Sequence, residues 1–374
     1  MFTVKTLNKI AKIGLDQLDR NYFVQNDEAD DPEAILVRSA KMLDYAPNPA
    51  LQCVARAGAG YNNIPVEDYA AKGVVVFNTP GANANAVKEL AVCALILASR
   101  DIVGGIDWCR SIADRGDEVA ALVEKGKSQF VGPELLGKTL GLIGLGNVGA
   151  KVAKAASALG MRVLGYDPFL SDALRQSLLG TAEIVEDLDV LYAESDYISL
   201  HLPYNKDTAN TVCAATIAKM KTGARIINIA RGELVNDADM AAALAEGKLG
   251  RYVTDFPNGN TVKMPGCVAI PHLGASTPES EDNCAVMAAK QVSEYLLSGN
   301  IVNSVNLPNI SMERSGKFRA VVIAKADAEV KLAAAAVTEK SRGAFKVVLA
   351  DADEAFDAAA ISAISGVIRV RTLG

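Results

Sequence analysis

Short apolar runs alternate with stretches of helical periodicity along most of the chain. AILVRSA (34–40), LQCVARAG (51–58) and GVVVFNT (73–79) are apolar runs closed by turn residues, which predicts strands. From 82 to about 113 the periodicity is helical and apolar, which predicts a packing or dimer helix. TLGLIGLG (139–146), RVLGYDP (162–168), DYISLHLP (196–203), ARIINIARG (224–232), GRYVTDFP (250–257) and CVAIPHLG (267–274) follow, mostly separated by helical segments. This is the βαβ signature of an α/β fold with a doubly wound parallel sheet. TPESEDNCAVMAAKQVSEYLLSGN (277–300) predicts a helix with a polar start, and NSVNLPNISMERSGK (303–317) reads as a linker. Beyond it, RAVVIA, AFKVVLAD and GVIRVRTL predict strands, with helices over DAEVKLAAAAV and EAFDAAAISAIS. That tail is too small for a second enzyme domain and suits a regulatory or oligomerising module.

A length of 374 residues suggests about two to three domains. Half the residues are hydrophobic and only 5% are aromatic, as expected of parallel sheets buried under helices. The net charge of −6 offers no basic excess, so nucleic acid and membrane are not expected partners. The opening segment has no hydrophobic signal core, and AVCALILA at 91–98 is far short of the ~20 apolar residues of a membrane span. A soluble, cytoplasmic protein is expected. Six scattered cysteines without a CxxC pair read as reduced core thiols. No metal is expected, because neither His201 nor His272 has metal-ligand spacing to a cysteine.

The strongest chemical signal is TLGLIGLGNVGAKVAKAASALGMRVLGYDP. Gly144 permits a tight turn, Gly146 allows close approach of a pyrophosphate, and Gly149 lets helix and strand pack closely. The helix that follows attracts phosphate charge at its N-terminus. Asp167 ends the next strand, where it can accept hydrogen bonds from ribose hydroxyls and would repel a 2′-phosphate, so NAD is favoured over NADP. Arg231 and His272 each follow an apolar strand at the edge where open α/β sheets bind ligands. Arg231 can hold a carboxylate with paired hydrogen bonds or simply cap the strand end. His272 can act as an acid/base or be an exposed structural histidine; His201 also ends a strand, at the edge that would border a cofactor.

Taken in order, LVRSA, RAGAGYNNI, VFNTPGANANAVKEL, LGLIGLGNVG, INIARGELV, VTDF, PHLGAST and NSVNLP resemble the D-isomer-specific 2-hydroxyacid dehydrogenases over nearly the whole chain. The resemblance implies a Rossmann-type NAD domain (99–274) inserted in a flavodoxin-like substrate domain (1–98 and 275–306), with an ACT-like α+β tail (316–374). It implies that Arg231 binds the substrate carboxylate and keto oxygen and that His272 is the acid/base. Gly58, Ala59 and Gly60 would offer backbone N–H groups to the carboxylate, and Arg38, with Ser39 beside it, would take a substrate phosphate. Asn147, Val148, Asp167, Ala230, Asp255 and Ala275 would line the NAD site with the three glycines, and Thr79 would touch the cofactor. The implied reaction is NAD-dependent oxidation of a phosphorylated 2-hydroxy acid, 3-phosphoglycerate, by a homodimer or tetramer. Glycerate, hydroxypyruvate or lactate chemistry, or an NAD-binding scaffold without turnover, are the alternatives.

Two departures from the family pattern stand out. Five residues after Asp255 the family carries a glutamate that partners the histidine; here Asn260 holds that position and could orient the ring without charging it. Glu279 or Glu281 could fold back instead. In the tail, a second ACT strand is hard to place between Val337 and Ala344, and an Asn-Pro-Gly turn is absent.

Overall fold

The computed structural model describes residues 1–374, which divide by their contacts into two units, Met1–Asn83 with Thr277–Gly374, and Ala84–Ser276.

In the second unit, seven parallel strands lie in the order Cys267–Ala269, Leu249–Thr254, Ala224–Asn228, Tyr197–Leu200, Thr139–Ile143, Arg162–Tyr166, Glu183–Ile184. From Thr139–Ile143 the chain runs outward to one edge, then returns to Tyr197–Leu200 on the other side of the first strand. The carboxyl ends of those two strands form the switch point where such sheets bind ligands. The helix expected over 82–113 is two helices, Ala84–Ser99 and Ile102–Ser111. Asp101 breaks it, because its carboxylate accepts the Gly104 N–H and pairs with Arg251 at 2.8 Å. Val87, Ala91, Ala94, Leu95 and Ala98 share one helical face and join the core of the NAD-type sheet with Leu140, Ala150 and Ala153. That burial puts Ala84–Ser99 in the second unit, ahead of the boundary expected after residue 98. Helices Ile102–Ser111 and Val119–Gly126 bury no residue.

The first unit carries five parallel strands in the order Phe23–Gln25, Phe2–Thr6, Ala34–Val37, Cys53–Arg56, Val75–Phe77. Helix Pro278–Ser298 covers the sheet. Thr277 caps it through Ser280, Pro278 opens it, and Gly299 closes it in the left-handed conformation. Its face of Cys284, Ala285, Ala288, Ala289, Val292, Tyr295 and Leu296 is buried in the same core as Val4, Leu36 and Phe77. The expected linker at 303–317 is tied down: the Asn306 side chain accepts the Val76 N–H and donates to Val66 and Val74 carbonyls, while Leu307 and Ile310 are buried.

The C-terminal sheet is antiparallel, in the order Ala336–Arg342, Phe345–Ala352, Phe318–Lys325, Val367–Leu373. The second strand is therefore present, and the helix expected over DAEVKLAAAAV is not. Val330, Leu332 and Ala334 are partly buried while Lys331, Ala333 and Ala335 are exposed. Alanine-rich composition suggests helix, but the burial has period two, and the segment is extended against Val322, Val348 and Ala350. The other sheet face, with Val321, Ile323, Val347 and Leu349, is continuous with the core under helix Pro278–Ser298.

Candidate active site

Gly144 adopts φ 95°, and a Cβ there would meet the His201 carbonyl oxygen at 2.6 Å. A Cβ on Gly149 would lie 2.1 Å from the Gly144 carbonyl oxygen, whereas one on Gly146 would meet nothing within 4 Å. The three glycines thus separate into two that the fold requires and one that leaves an open cradle before helix Asn147–Ala158. Gly149→Ala is expected to lower thermal stability, with a cost of about 1–3 kcal/mol. Gly146→Ala should leave the melting temperature near wild type and weaken NAD binding; calorimetry and an NAD titration on the same samples separate the two effects.

Asp167 braces the loop. Its Oδ2 accepts the Leu145 N–H at 2.9 Å and its Oδ1 the Phe169 N–H at 2.9 Å. Phe169, in the position beside it where an arginine could neutralise a 2′-phosphate, is 92% exposed. His201 is kept neutral: burial pushes its pKa down to about 4, and its Nε2 lies 3.0 Å from Ser199 Oγ.

The turn after Ala224–Asn228 is built by Asn228, a buried polar residue that the sequence pattern hid inside an apolar run. Its Oδ1 accepts the N–H groups of Ala230 and Arg231, and its Nδ2 donates to the Arg231 carbonyl at 2.8 Å. Arg231 Nη1 donates to the Ala230 carbonyl at 2.6 Å, and its guanidinium carbon lies 5.7 Å from the centre of the Phe256 ring. The His272 ring lies 4.6 Å from the same ring, centre to centre, tilted by 43°. Phe256 thus contacts both side chains, a role that no motif announced.

His272 is exposed and takes φ 36°, a left-handed conformation that costs a non-glycine residue about 1–3 kcal/mol. Its N–H donates to the Asp255 carbonyl at 2.9 Å. The Asp255 carboxylate is buried and points elsewhere: Oδ2 accepts the Gly274 N–H at 3.0 Å, and Oδ1 has no partner. Burial raises the Asp255 pKa, opposed by the Gly274 N–H and the nearby charges of His272 and Arg231. An orphaned acceptor of this kind suits a carboxamide donor such as that of nicotinamide. Ala230 is buried and Ala275 half-buried at the same sheet end.

Asn260 does not stand in for the missing glutamate. It makes no hydrogen bond to His272; its Nδ2 donates to Asp237 Oδ2 at 3.2 Å, beside Asn258 Nδ2 at 2.9 Å. The loop after Phe256 is thereby drawn to the start of helix Asp237–Ala245. A cavity of about 920 Å³ is lined by Glu233, Asp237, Asp255, Phe256, Asn258 and His272, among others.

In the first unit, the Asn8 carboxamide oxygen accepts the N–H groups of Arg38, Ser39 and Ala40, which fixes that loop. Arg38 Nη2 pairs with Glu281 at 2.7 Å, so Glu281 is engaged by the arginine. The Gly58 N–H donates to the Arg56 carbonyl at 2.9 Å, which narrows the expected carboxylate donors to Ala59 and Gly60. Asn78 holds the Ala59 carbonyl at 2.6 Å, and Thr79 is fully buried with its N–H on Gly58.

A family profile described as D-isomer specific 2-hydroxyacid dehydrogenase, NAD binding domain, matches residues 103–274. Residues 103–274 belong to that family. Sequence similarity to curated proteins extends beyond that segment. A D-3-phosphoglycerate dehydrogenase of a Synechocystis strain is 35% identical over 296 residues, covering 77% of this chain and 51% of its own length. Its namesake from Archaeoglobus fulgidus is 34% identical over 328 residues, covering 80% of this chain and 59% of that one. The chain spans about half the length of the curated relatives it matches. Among solved structures, NAD⁺-bound 3-phosphoglycerate dehydrogenase of Entamoeba histolytica is 27% identical with a TM-score of 0.63, over 82% of this chain and 98% of that one. D-mandelate dehydrogenase of Rhodotorula graminis, at 24% identity and a TM-score of 0.68, covers 83% of this chain and 99% of its own, and shares the 2-hydroxyacid dehydrogenase fold. No helix of the protein is long and apolar enough to cross a membrane.

Proposed function

We propose that the chain oxidises a D-2-hydroxy acid with NAD, and that the acid is 3-phosphoglycerate, giving 3-phosphooxypyruvate. The observation that carries this reading is the pair Arg231 and His272 against one ring, Phe256, at the carboxyl end of the NAD-domain sheet. A permanent cation and a proton acceptor stand side by side, as oxidation of a hydroxy acid requires.

NAD, when bound, supplies the hydride acceptor. Gly144, Gly146, Asn147, Val148, Gly149 and Asp167 would hold its adenosine and pyrophosphate, and Ala230, Asp255 and Ala275 its nicotinamide end. Arg231 binds the carboxylate and polarises the carbon–oxygen bond that becomes the ketone. His272, neutral, takes the hydroxyl proton on its ring nitrogen; in the reverse direction the protonated ring returns it.

Arg38 is assigned to the phosphate, supported by the names of the curated relatives. Glu281 already pairs with it, so the phosphate must displace that carboxylate or share the guanidinium with it. That ion pair also favours a second reading, an unphosphorylated acid such as glycerate or lactate. Arg38→Ala decides between them. On the phosphate reading it raises KM for 3-phosphoglycerate by about 10-fold or more, the loss of a charge-assisted contact, with kcat little changed. On the second reading steady-state kinetics are unaltered. We further propose a homodimer through the helices Ile102–Ser111 and Val119–Gly126. Ile102, Val103 and Ile106 are 37, 41 and 47% exposed there and no residue is buried. The C-terminal sheet is read as an ACT-like module whose first helix has been replaced by an extended segment.

A further inference from the structure

We propose that Phe256 is the residue that positions His272, where the family resemblance would imply a carboxylate; the inference rests on His272 being the acid/base. No carboxylate of the same unit hydrogen-bonds to the His272 ring. Asp255 accepts the Gly274 N–H on Oδ2, and Asp237 accepts the Asn258 and Asn260 amides on Oδ2. Glu233 lines the cavity but makes no hydrogen bond to the ring.

Phe256 does contact it, with ring centres 4.6 Å apart and a tilt of 43°. A tilted aromatic pair restricts rotation of both rings through their quadrupoles and their packing. The same ring receives the Arg231 guanidinium at 5.7 Å, so one side chain fixes the cation relative to the base. Phe256 is itself braced. Its N–H donates to Thr254 Oγ1 at 3.1 Å, and it is half-buried. His272 enters this contact from a left-handed backbone, φ 36°, with its N–H on the Asp255 carbonyl, which limits where the ring can go. A phenyl ring can orient an imidazole by packing alone, without a hydrogen bond to either ring nitrogen.

The chain holds only two histidines, so imidazole NMR signals are few, and His272→Asn assigns them. In the wild type the His272 ring protons should be displaced by the Phe256 ring current relative to the urea-unfolded chain. Phe256→Leu should abolish that displacement and lower kcat by roughly 10- to 100-fold, the scale expected of a misplaced reacting group, with the NAD dissociation constant unchanged. Phe256→Tyr, which keeps the ring, should retain both. Wild-type signals at their unfolded positions would overturn the proposal, and that measurement stands even if Phe256→Leu fails to fold. So would a Phe256→Leu enzyme with wild-type kcat. A wild type that shows the displacement but turns over no hydroxy acid would refute the dehydrogenase reading and leave the ring contact established.

Discussion

His272→Asn should cut kcat for hydroxy-acid oxidation by about 10²–10⁴-fold, the usual contribution of a positioned general base. NAD affinity should be nearly unchanged, because the residues assigned to the cofactor stay in place. Asparagine also tolerates the left-handed conformation that His272 adopts at φ 36°, so the backbone need not rearrange. Stopped-flow and equilibrium NAD titration separate the two quantities. Equal loss in kcat and in NAD binding would mean that the residue supports the fold of the loop and not the proton transfer. Arg231→Lys should be nearly as damaging, since a point charge cannot reproduce the paired hydrogen bonds or the stacking on Phe256.

Arg319→Ala should be the most destabilising single change in the first unit. Arg319 and Asp351 are fully buried and joined by two bonds, Nε to Oδ1 at 2.6 Å and Nη2 to Oδ2 at 2.8 Å. Arg319 Nη1 also donates to the Ser298 carbonyl at 2.9 Å, which ties the C-terminal sheet to helix Pro278–Ser298. Removing one partner leaves a buried unpaired charge, at about 3–5 kcal/mol. The double variant Arg319→Met/Asp351→Leu should recover most of that loss, because it removes the desolvation penalty with the pair. Burial alone would raise the Asp351 pKa, but the Arg319 bonds and the Ser315 N–H outweigh it, and the carboxyl lies below its ordinary value. A depressed native pKa binds protons less readily than the unfolded chain does. The pair's contribution is therefore present above the ordinary carboxylate pKa, near pH 4, and is lost as pH falls through the native value. Thermal melts of wild type and double variant between pH 3 and pH 7 should show this: the wild type loses stability at the acid end more steeply than the double variant.

The same sheet is held by Arg371, whose guanidinium donates to the Tyr295 and Leu296 carbonyls and lies 4.6 Å from the Tyr295 ring centre, and by Arg369 on the Leu51 carbonyl. An effector-driven swing of such a module would have to break these contacts together, so a fixed structural tail suits it better than a sensor.

What could be read in the sequence was local. Strands of the NAD-type sheet announce themselves by apolar runs, and Gly144, Gly146 and Gly149 by their spacing between a strand and a helix. The tail resisted because alanine is compatible with either period. Only burial of Val330, Leu332 and Ala334 against exposed Lys331 and Ala333 shows which one holds. The partner of His272 resisted for a different reason. Position 260 lies after a turn, and the chain there is pulled to Asp237 by two asparagine amides, a contact between distant segments that spacing cannot reveal. Phe256 followed the aspartate in plain view, but its two ring contacts exist only once the strand ends carrying Arg231 and His272 are brought together.

The most direct measurement is NADH formation by the purified chain with NAD and 3-phosphoglycerate at alkaline pH in the presence of a ketoacid trap. Steady growth of the NADH absorbance, absent in His272→Asn, is the predicted result. No NADH from 3-phosphoglycerate, with brisk NADH consumption on hydroxypyruvate or pyruvate, would contradict the proposed substrate, and silence with all of them would contradict the proposed chemistry.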